Sequence, residues 1–127
     1  KDCKFEDTYH VLLFKMRPDT PQQYRNVLID GATGRVRTAL EVQTWRQFFN
    51  KVERDPMPES GVDNVVFRNG HLECTRDFYR QGQGDFYTLK NFVFRDIWAT
   101  DPAGGAFDTN GIQDCIIQNV TINDVKR

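Results

Sequence analysis

The sequence has no excess of charge of either sign and no long apolar run. Its 127 residues include 17 basic and 18 acidic side chains, which are interspersed along the chain. Such a balance offers no electrostatic footprint to nucleic acid or to an anionic membrane. No apolar stretch approaches the roughly 20 residues that a membrane-spanning helix requires. We therefore predict one domain with a real core, and neither a nucleic-acid nor a membrane partner.

Cysteine is also scarce. Cys3, Cys74 and Cys115 cannot make a closed disulfide framework, and their spacing matches no zinc motif. The sequence shows no acidic cluster of the kind that binds calcium, so neither a metal nor a cofactor is expected. Cys3 and Cys115 take the same position as Val27 in the repeated pattern described next. We predict that both are small buried apolar residues, not ligands or nucleophiles.

A six-residue pattern recurs five times in the chain: Asn or Asp, an apolar residue, any residue, an apolar residue, a polar residue, then Asn, Asp or Gly. The intervals between successive copies are 24, 38, 27 and 23 residues. Self-similarity at a period of this length is the signature of a solenoid, in which each repeat stacks on the one before. The copies are residues 2–7, 26–31, 64–69, 91–96 and 114–119.

Within each copy the apolar residues alternate with a period of two, which is the period of a β-strand. A second short alternation follows the polar corner at 97–99 and 120–122, with a weaker copy at 70–72. In this alternation Trp98 takes a solvent-facing position. No long amphipathic segment with a 3.6-residue period interrupts these strands. The pattern predicts an all-β fold, a right-handed parallel β-helix of about five coils, with residues 1–127 forming one segment.

The sixth position of each copy is the predicted corner of a coil. Asn and Asp tolerate left-handed backbone angles, and stacked amides can hydrogen-bond from one coil to the next. The alternative fold is an antiparallel sandwich with regularly spaced strands. Hairpin dipeptides such as Asn-Gly are nearly absent between the strands, which disfavours the sandwich. The predicted corner column is Asp7, Gly31, Asn69, Asp96 and Asn119.

The first repeat begins at the second residue of the chain, and the residue before it is not Met. We expect the chain to be the C-terminal part of a larger β-helix domain, incomplete at its N-terminal end. An uncapped solenoid exposes core positions and strand edges. That end is therefore expected to be covered by the remainder of the β-helix or by another chain.

In their order along the chain, the segments 2–8, 11–15, 25–29 and 39–43 resemble consecutive strands in the C-terminal coils of family 28 glycoside hydrolases. These are polygalacturonase-like, pectin-degrading enzymes with the pectin-lyase-like β-helix fold. Residues 62–72 and 89–100 resemble the final coils of that family. The resemblance implies inverting hydrolysis of galacturonide linkages in pectic oligo- or polysaccharides, by a protein that is secreted or periplasmic.

Inverting glycoside hydrolysis requires two carboxyl groups far enough apart to admit a water molecule, with one of them kept protonated. The family supplies them from an Asn-Thr-Asp motif, an Asp-Asp pair and a Gly-His-Gly motif, and none of these occurs in this sequence. We therefore predict no catalytic residue in this chain, which would give a parent hydrolase its scaffold and part of its cleft. The competing hypothesis is a non-catalytic carbohydrate-binding or adhesion module on the same solenoid.

Four residues are candidate substrate contacts: Lys15, Arg17, Trp45 and Arg46. Lys15 stands where the family has the Lys of an Arg-Ile-Lys motif, whose implied role is to hold a sugar carboxylate. Leu13 replaces the Arg of that motif, and Arg17 could supply the missing guanidinium. Trp45 and Arg46 fall close to a substrate-contacting Tyr of the family, and an indole face stacks well on a sugar ring. The alternatives are a solvated lysine on a strand and a loop that packs Trp45 onto the scaffold.

Overall fold

The computed structural model describes residues 1–16, 22–44, 60–82, 87–102 and 107–127. The regular structure in these ranges is β-strand, which confirms the predicted all-β class, and within them no helix is long and apolar enough to cross a membrane. The strands are β1 (Lys4–Met16), β2 (Gln23–Asp30), β3 (Thr33–Thr44), β4 (Ser60–Gln81), β5 (Tyr87–Thr100), β6 (Ile112–Ile122) and β7 (Val125–Lys126).

The strands form one sheet in the order β1-β3-β4-β5-β6-β7, and β2 joins it beside β4. β2 and β3 follow each other along the chain and pair with consecutive parts of β4. The strand pairs are parallel, apart from the antiparallel pair of β6 with β7. The sheet is thus mostly parallel, and the antiparallel sandwich, which was the alternative prediction, is wrong.

Asn and Asp residues with left-handed backbone angles interrupt the strands at matching places. In β4 they are Asn64, at φ 66°, and Asn69, at φ 54°. Most residues adopt such angles only at a cost, which Asn and Asp bear best after Gly. The strand register aligns them in two columns: Asn26, Asn64, Asn91 and Asp114 in the first, and Asp2, Gly31, Asn69, Asp96 and Asn119 in the second.

Side-chain amides of the columns are hydrogen-bonded to neighbouring strands. Two of the acceptors belong to the same column as the donor, and the other two directly precede a column member. Each bond therefore links two strands that are distant in sequence. The bonds, each of 2.8 or 2.9 Å, run from Asn64 to Asn26, from Asn91 to Asp63, from Asn69 to Asp30 and from Asn119 to Asp96.

The predicted corner column included Asp7, and this is wrong: the structure places Asp2 beside Gly31 instead. The backbone N–H of Asp2 donates to the carbonyl of Asp30 at 2.7 Å. A repeat carries Asn, Asp or Gly at its sixth position and Asn or Asp at its first. The sequence pattern therefore allows either Asp7 or Asp2 to align with Gly31. Backbone pairing decides between them, and it puts Asp7 at a bulge in β1.

The core is built from inward-facing residues of neighbouring strands, and its centre is aromatic. Phe67, Phe78 and Phe94 are fully buried, and the ring centroids of Phe67 and Phe78 are 5.6 Å apart. The ring of Phe94 lies within 6.3 Å of both. Tyr79 lies at the edge of this cluster, and its burial raises the pKa of its hydroxyl. Burial of these large rings stabilises the sheet.

The cysteines separate into three environments. Cys3 is exposed, which contradicts the prediction that it is buried. In the observed frame it lies opposite Ala32 and directly precedes β1, the strand at the end of the sheet path, so it has a neighbouring strand on one side only. Cys115 is half-buried against the core, and burial raises the pKa of its thiol. Cys74 is buried, and burial raises the pKa of its thiol to about 12.

Candidate functional site

A column of outward-facing side chains crosses the sheet. Each of its members lies two residues after a member of the second column of left-handed residues. Strand alternation points most of their neighbours along the chain into the core. Trp98 therefore faces solvent, as the alternation of 97–99 predicted. The column, with one residue from each of five strands, is Lys4, Thr33, His71, Trp98 and Thr121.

The rings of His71 and Trp98 are stacked. Their centroids are 4.4 Å apart and their planes differ by 21°. The next residue of the column, Thr121, is too small to cover an indole, and Trp98 keeps 37% of its surface exposed. The two rings form an accessible aromatic surface, which we call the platform.

The platform is part of the lining of a groove with a volume of about 860 Å³, within the range of ligand sites in proteins. We call it the main groove. Its walls combine aromatic, cationic and anionic side chains from neighbouring strands. Besides the platform they include Lys4 and Asp7 of β1, Arg35 of β3 and Glu73 of β4.

Arg35 lies between two of the carboxylates that line the main groove, those of Asp7 and Glu73. Its Nε is 3.3 Å from Oδ1 of Asp7 and 3.9 Å from Oε1 of Glu73. Lys4 forms a similar pair with Glu6, at 3.7 Å. All of these side chains are more than half exposed, and exposed ion pairs contribute only about 0–1 kcal/mol to stability. A ligand can therefore replace one of these contacts at little cost.

Two smaller pockets continue the main groove. The first, of about 290 Å³, shares Asp7 and Arg35 with it and extends to Tyr9, Arg37 and Thr75; we call it the Tyr9 pocket. The second, of about 330 Å³, shares Glu73 and Thr100 with the main groove and extends to Asp101 and Asn123. The surface is thus long enough for a polymer and not only for a single small molecule.

A second cluster of charged residues connects β1, β3 and β4. Glu41 is buried, and its Oε1 is 3.0 Å from Nε2 of His10 and accepts a hydrogen bond from Arg76 Nη2 at 2.5 Å. Asp77 accepts hydrogen bonds from Thr38 Oγ1 at 2.6 Å and from Arg76 Nε at 3.2 Å. Buried carboxylates require such compensation. The cluster therefore serves to hold the strands together.

The candidate contacts predicted from the sequence lie away from the main groove or outside the described residues. Lys15 is exposed at the far end of β1 from Lys4, opposite Gln43, and is not part of the groove lining. Arg17, Trp45 and Arg46 lie outside the described residues. Their roles in substrate binding stay predictions.

Sequence reasoning missed the main groove. The sequence feature that could have predicted it is the equivalence of 70–72 with 97–99 in the repeat. The register of β4 and β5 confirms this equivalence, because it pairs His71 with Trp98. The part of the chain that the structure describes contains no group of three or more His, Cys, Asp or Glu side chains placed to hold a metal ion. The side chains of the groove offer aromatic stacking, hydrogen bonding and ion pairing.

Comparisons with protein-family models, with curated proteins and with solved structures find no match to this chain. The resemblance to family 28 glycoside hydrolases is accordingly a hypothesis that depends on the sequence segments alone.

Proposed function

We propose that this chain is a segment of a right-handed parallel β-helix, and that the groove on its outer face binds a polysaccharide. A β-helix accounts for the parallel pairing of repeats spaced 23 to 38 residues apart, and for left-handed residues at two aligned corners. A right-handed path is expected because connections between parallel strands of one sheet are right-handed in nearly all proteins.

The observation that carries the binding proposal is the stack of Trp98 on His71 beside Arg35 in one groove. A sugar ring has an apolar face, which excludes water together with an aromatic surface. At the edge of the ring, its hydroxyl groups need both hydrogen-bond donors and acceptors, and any carboxylate needs donors. Arg35 supplies donors in a planar fork, and Glu73 supplies acceptors.

The sugar class that we propose is a galacturonide chain of the pectic type, as the family resemblance implies. On this proposal the chain is the C-terminal part of a secreted, polygalacturonase-like glycoside hydrolase. Lys4 and Arg35 are cations that a uronate carboxylate could reach, because their present ion pairs are exposed and weak. The alternative is a non-catalytic module that binds carbohydrate through the same groove.

We propose that the main groove binds but does not cleave. Two of its carboxylates, those of Asp7 and Glu73, both contact Arg35. In a glycosidase the scissile bond and a water molecule occupy the space between the two carboxyl groups. Here the Arg35 side chain occupies that space, so the pair is arranged for binding.

The test is binding of the 127-residue chain to polygalacturonate, measured by affinity gel electrophoresis and by calorimetry with galacturonide oligomers. We expect Trp98→Ala to weaken binding about tenfold or more, because buried Trp contacts dominate many interfaces. The matched control is Leu28→Ala, which removes an exposed apolar side chain of β2 outside the groove. Equal affinity of wild type and Trp98→Ala would overturn the proposal.

The variant Lys15→Gln distinguishes binding in the main groove from binding in the cleft that the family resemblance predicts. If the main groove is the binding site, Lys15→Gln leaves the affinity unchanged, since Lys15 is not among its lining residues. Loss of binding in Lys15→Gln together with normal binding in Trp98→Ala would place the site at the other end of β1.

A further inference from the structure

Tyr9 of β1 is a large aromatic side chain with 68% of its surface exposed. The guanidinium carbon of Arg37 lies 5.5 Å from the centroid of its ring, within the range of a cation–π contact. Both side chains line the Tyr9 pocket, with Thr75 of β4 on its far side. An exposed aromatic ring with a guanidinium over it is therefore presented to solvent.

Arg37 differs from Arg35, although the two lie on the same face of β3. Arg35 lies between Asp7 and Glu73. Among the residues that the structure describes, no carboxylate lies within ion-pair distance of Arg37, which instead lies over the Tyr9 ring. Its donors are therefore available to an acceptor oxygen of a ligand.

The Tyr9 pocket is continuous with the main groove. Asp7 and Arg35 belong to the lining of both, so their ion pair forms the wall that the two share. Trp98 is on β5 and Tyr9 is on β1, with β4, which carries His71, and β3 between them in the sheet. At about 4.8 Å between neighbouring strands, the Trp98 and Tyr9 rings are at least about 14 Å apart.

We propose that Tyr9 and Arg37 form a second sugar subsite, so that the ligand is a linear chain of pyranose units lying across the strands from β5 to β1. One unit stacks on the platform, the chain passes over the Arg35–Asp7 pair, and a further unit lies on Tyr9 with an acceptor oxygen at Arg37. This inference rests on the proposed function. It adds that affinity depends on ligand length and that two separate aromatic surfaces share the binding.

The experiment measures dissociation constants for dimers, tetramers and hexamers by calorimetry, with galacturonide and with uncharged gluco-oligosaccharides. Wild type is expected to bind the hexamer of at least one series about tenfold more tightly than the dimer. Tyr9→Ala and Arg37→Gln should remove most of this gain and leave the dimer affinity within about twofold of wild type. Trp98→Ala should weaken binding at every length. These fold-changes correspond to the loss of one aromatic or one guanidinium contact.

The matched control is Arg95→Gln, which removes a half-exposed Arg of β5 that pairs with Asp96 outside the pockets. It should bind all lengths as wild type does. Equal weakening of dimer and hexamer in Tyr9→Ala, or no weakening in either variant, would overturn the second subsite while leaving the main groove in place. Absence of binding to every oligomer by wild type would overturn both proposals.

Discussion

The side-chain amide of Asn69 donates a 2.9 Å hydrogen bond to the carboxylate of Asp30, which lies 39 positions earlier in the sequence. Arg68 donates to the second oxygen of the same carboxylate at 3.1 Å. The side chain of Asp30, at a corner, therefore joins β2 to β4, two strands that are far apart in the sequence.

Substitution of Asn69 separates its two roles, the left-handed backbone and the hydrogen bond. Asn69→Ala should lower the free energy of unfolding by about 2 kcal/mol, because it loses the bond and strains the backbone. Asn69→Gly should lower it by about 1 kcal/mol, because glycine adopts the left-handed angles freely and only the bond is lost. Urea unfolding followed by circular dichroism at neutral pH measures both. Equal losses in the two variants would show that backbone strain plays no part.

Asp30 predicts a dependence of stability on pH. Its hydrogen bonds with Asn69 and then Arg68 lower the pKa of its carboxyl from the ordinary 3.8. A group whose pKa is lower in the folded state stabilises the fold above the unfolded pKa, and this contribution disappears as the pH falls through the folded pKa. The urea midpoint should therefore fall as the pH drops below about 4.

The comparison variant for this pH dependence is Asp30→Asn, which should be less stable at neutral pH and should lose less stability on acidification. Asp124→Asn, an exposed carboxylate in the turn before β7, is the matched control and should behave as wild type does. A steeper acid loss in Asp30→Asn than in wild type would contradict the assignment.

The cysteines should react with iodoacetamide at different rates in the folded protein. The thiolate is the reactive form, and burial raises the pKa of Cys74 to about 12, so Cys74 should remain unmodified at pH 8. Cys3 is exposed and should be alkylated first, with Cys115 between the two. Site-resolved mass spectrometry gives the order, and urea should abolish it. Rapid labelling of Cys74 without denaturant would contradict the buried position.

The chain alone should release no reducing ends from polygalacturonate, although we expect it to bind this polymer. The acid and base motifs of the resembled family do not occur in the sequence, and Arg35 fills the space between Asp7 and Glu73. A reducing-end assay over many hours checks this. Turnover that disappears in Asp7→Asn or Glu73→Gln would show instead that the groove is an active site.

Much of the scaffold could be predicted from the sequence, because the period-two alternation and the spaced Asn and Asp residues report directly on strands and corners. The first repeat was placed in the wrong frame, since Asp2 and Asp7 satisfy the same pattern and only the pairing with β3 distinguishes them. The prediction that Cys3 is buried is wrong for another reason: its counterparts Ala32, Ile97 and Val120 are buried, but Cys3 has a neighbouring strand on one side only. Local patterns do not contain the register between distant strands.

The candidate site was harder to predict than the scaffold. His71 and Trp98 were already equivalent in the sequence pattern, but their stacking depends on direct pairing of β4 with β5. The burial of Glu41 with His10 and Arg76 was beyond prediction. Register shifts in β1 and β4 change which side chains meet on neighbouring strands, and simple alternation contains no sign of a bulge.

The amide hydrogen bonds between the strands all run in one direction, since each donor belongs to the later strand and each acceptor to the earlier one. The stack of strands therefore has a direction, with the donors on one side of each repeat and the acceptors on the other. An additional whole repeat inserted between two existing ones would meet an acceptor on one side and a donor on the other. Such a protein can lengthen or shorten by complete repeats, whereas insertion of a single residue inside a repeat would misalign one of its corners with those of both neighbours.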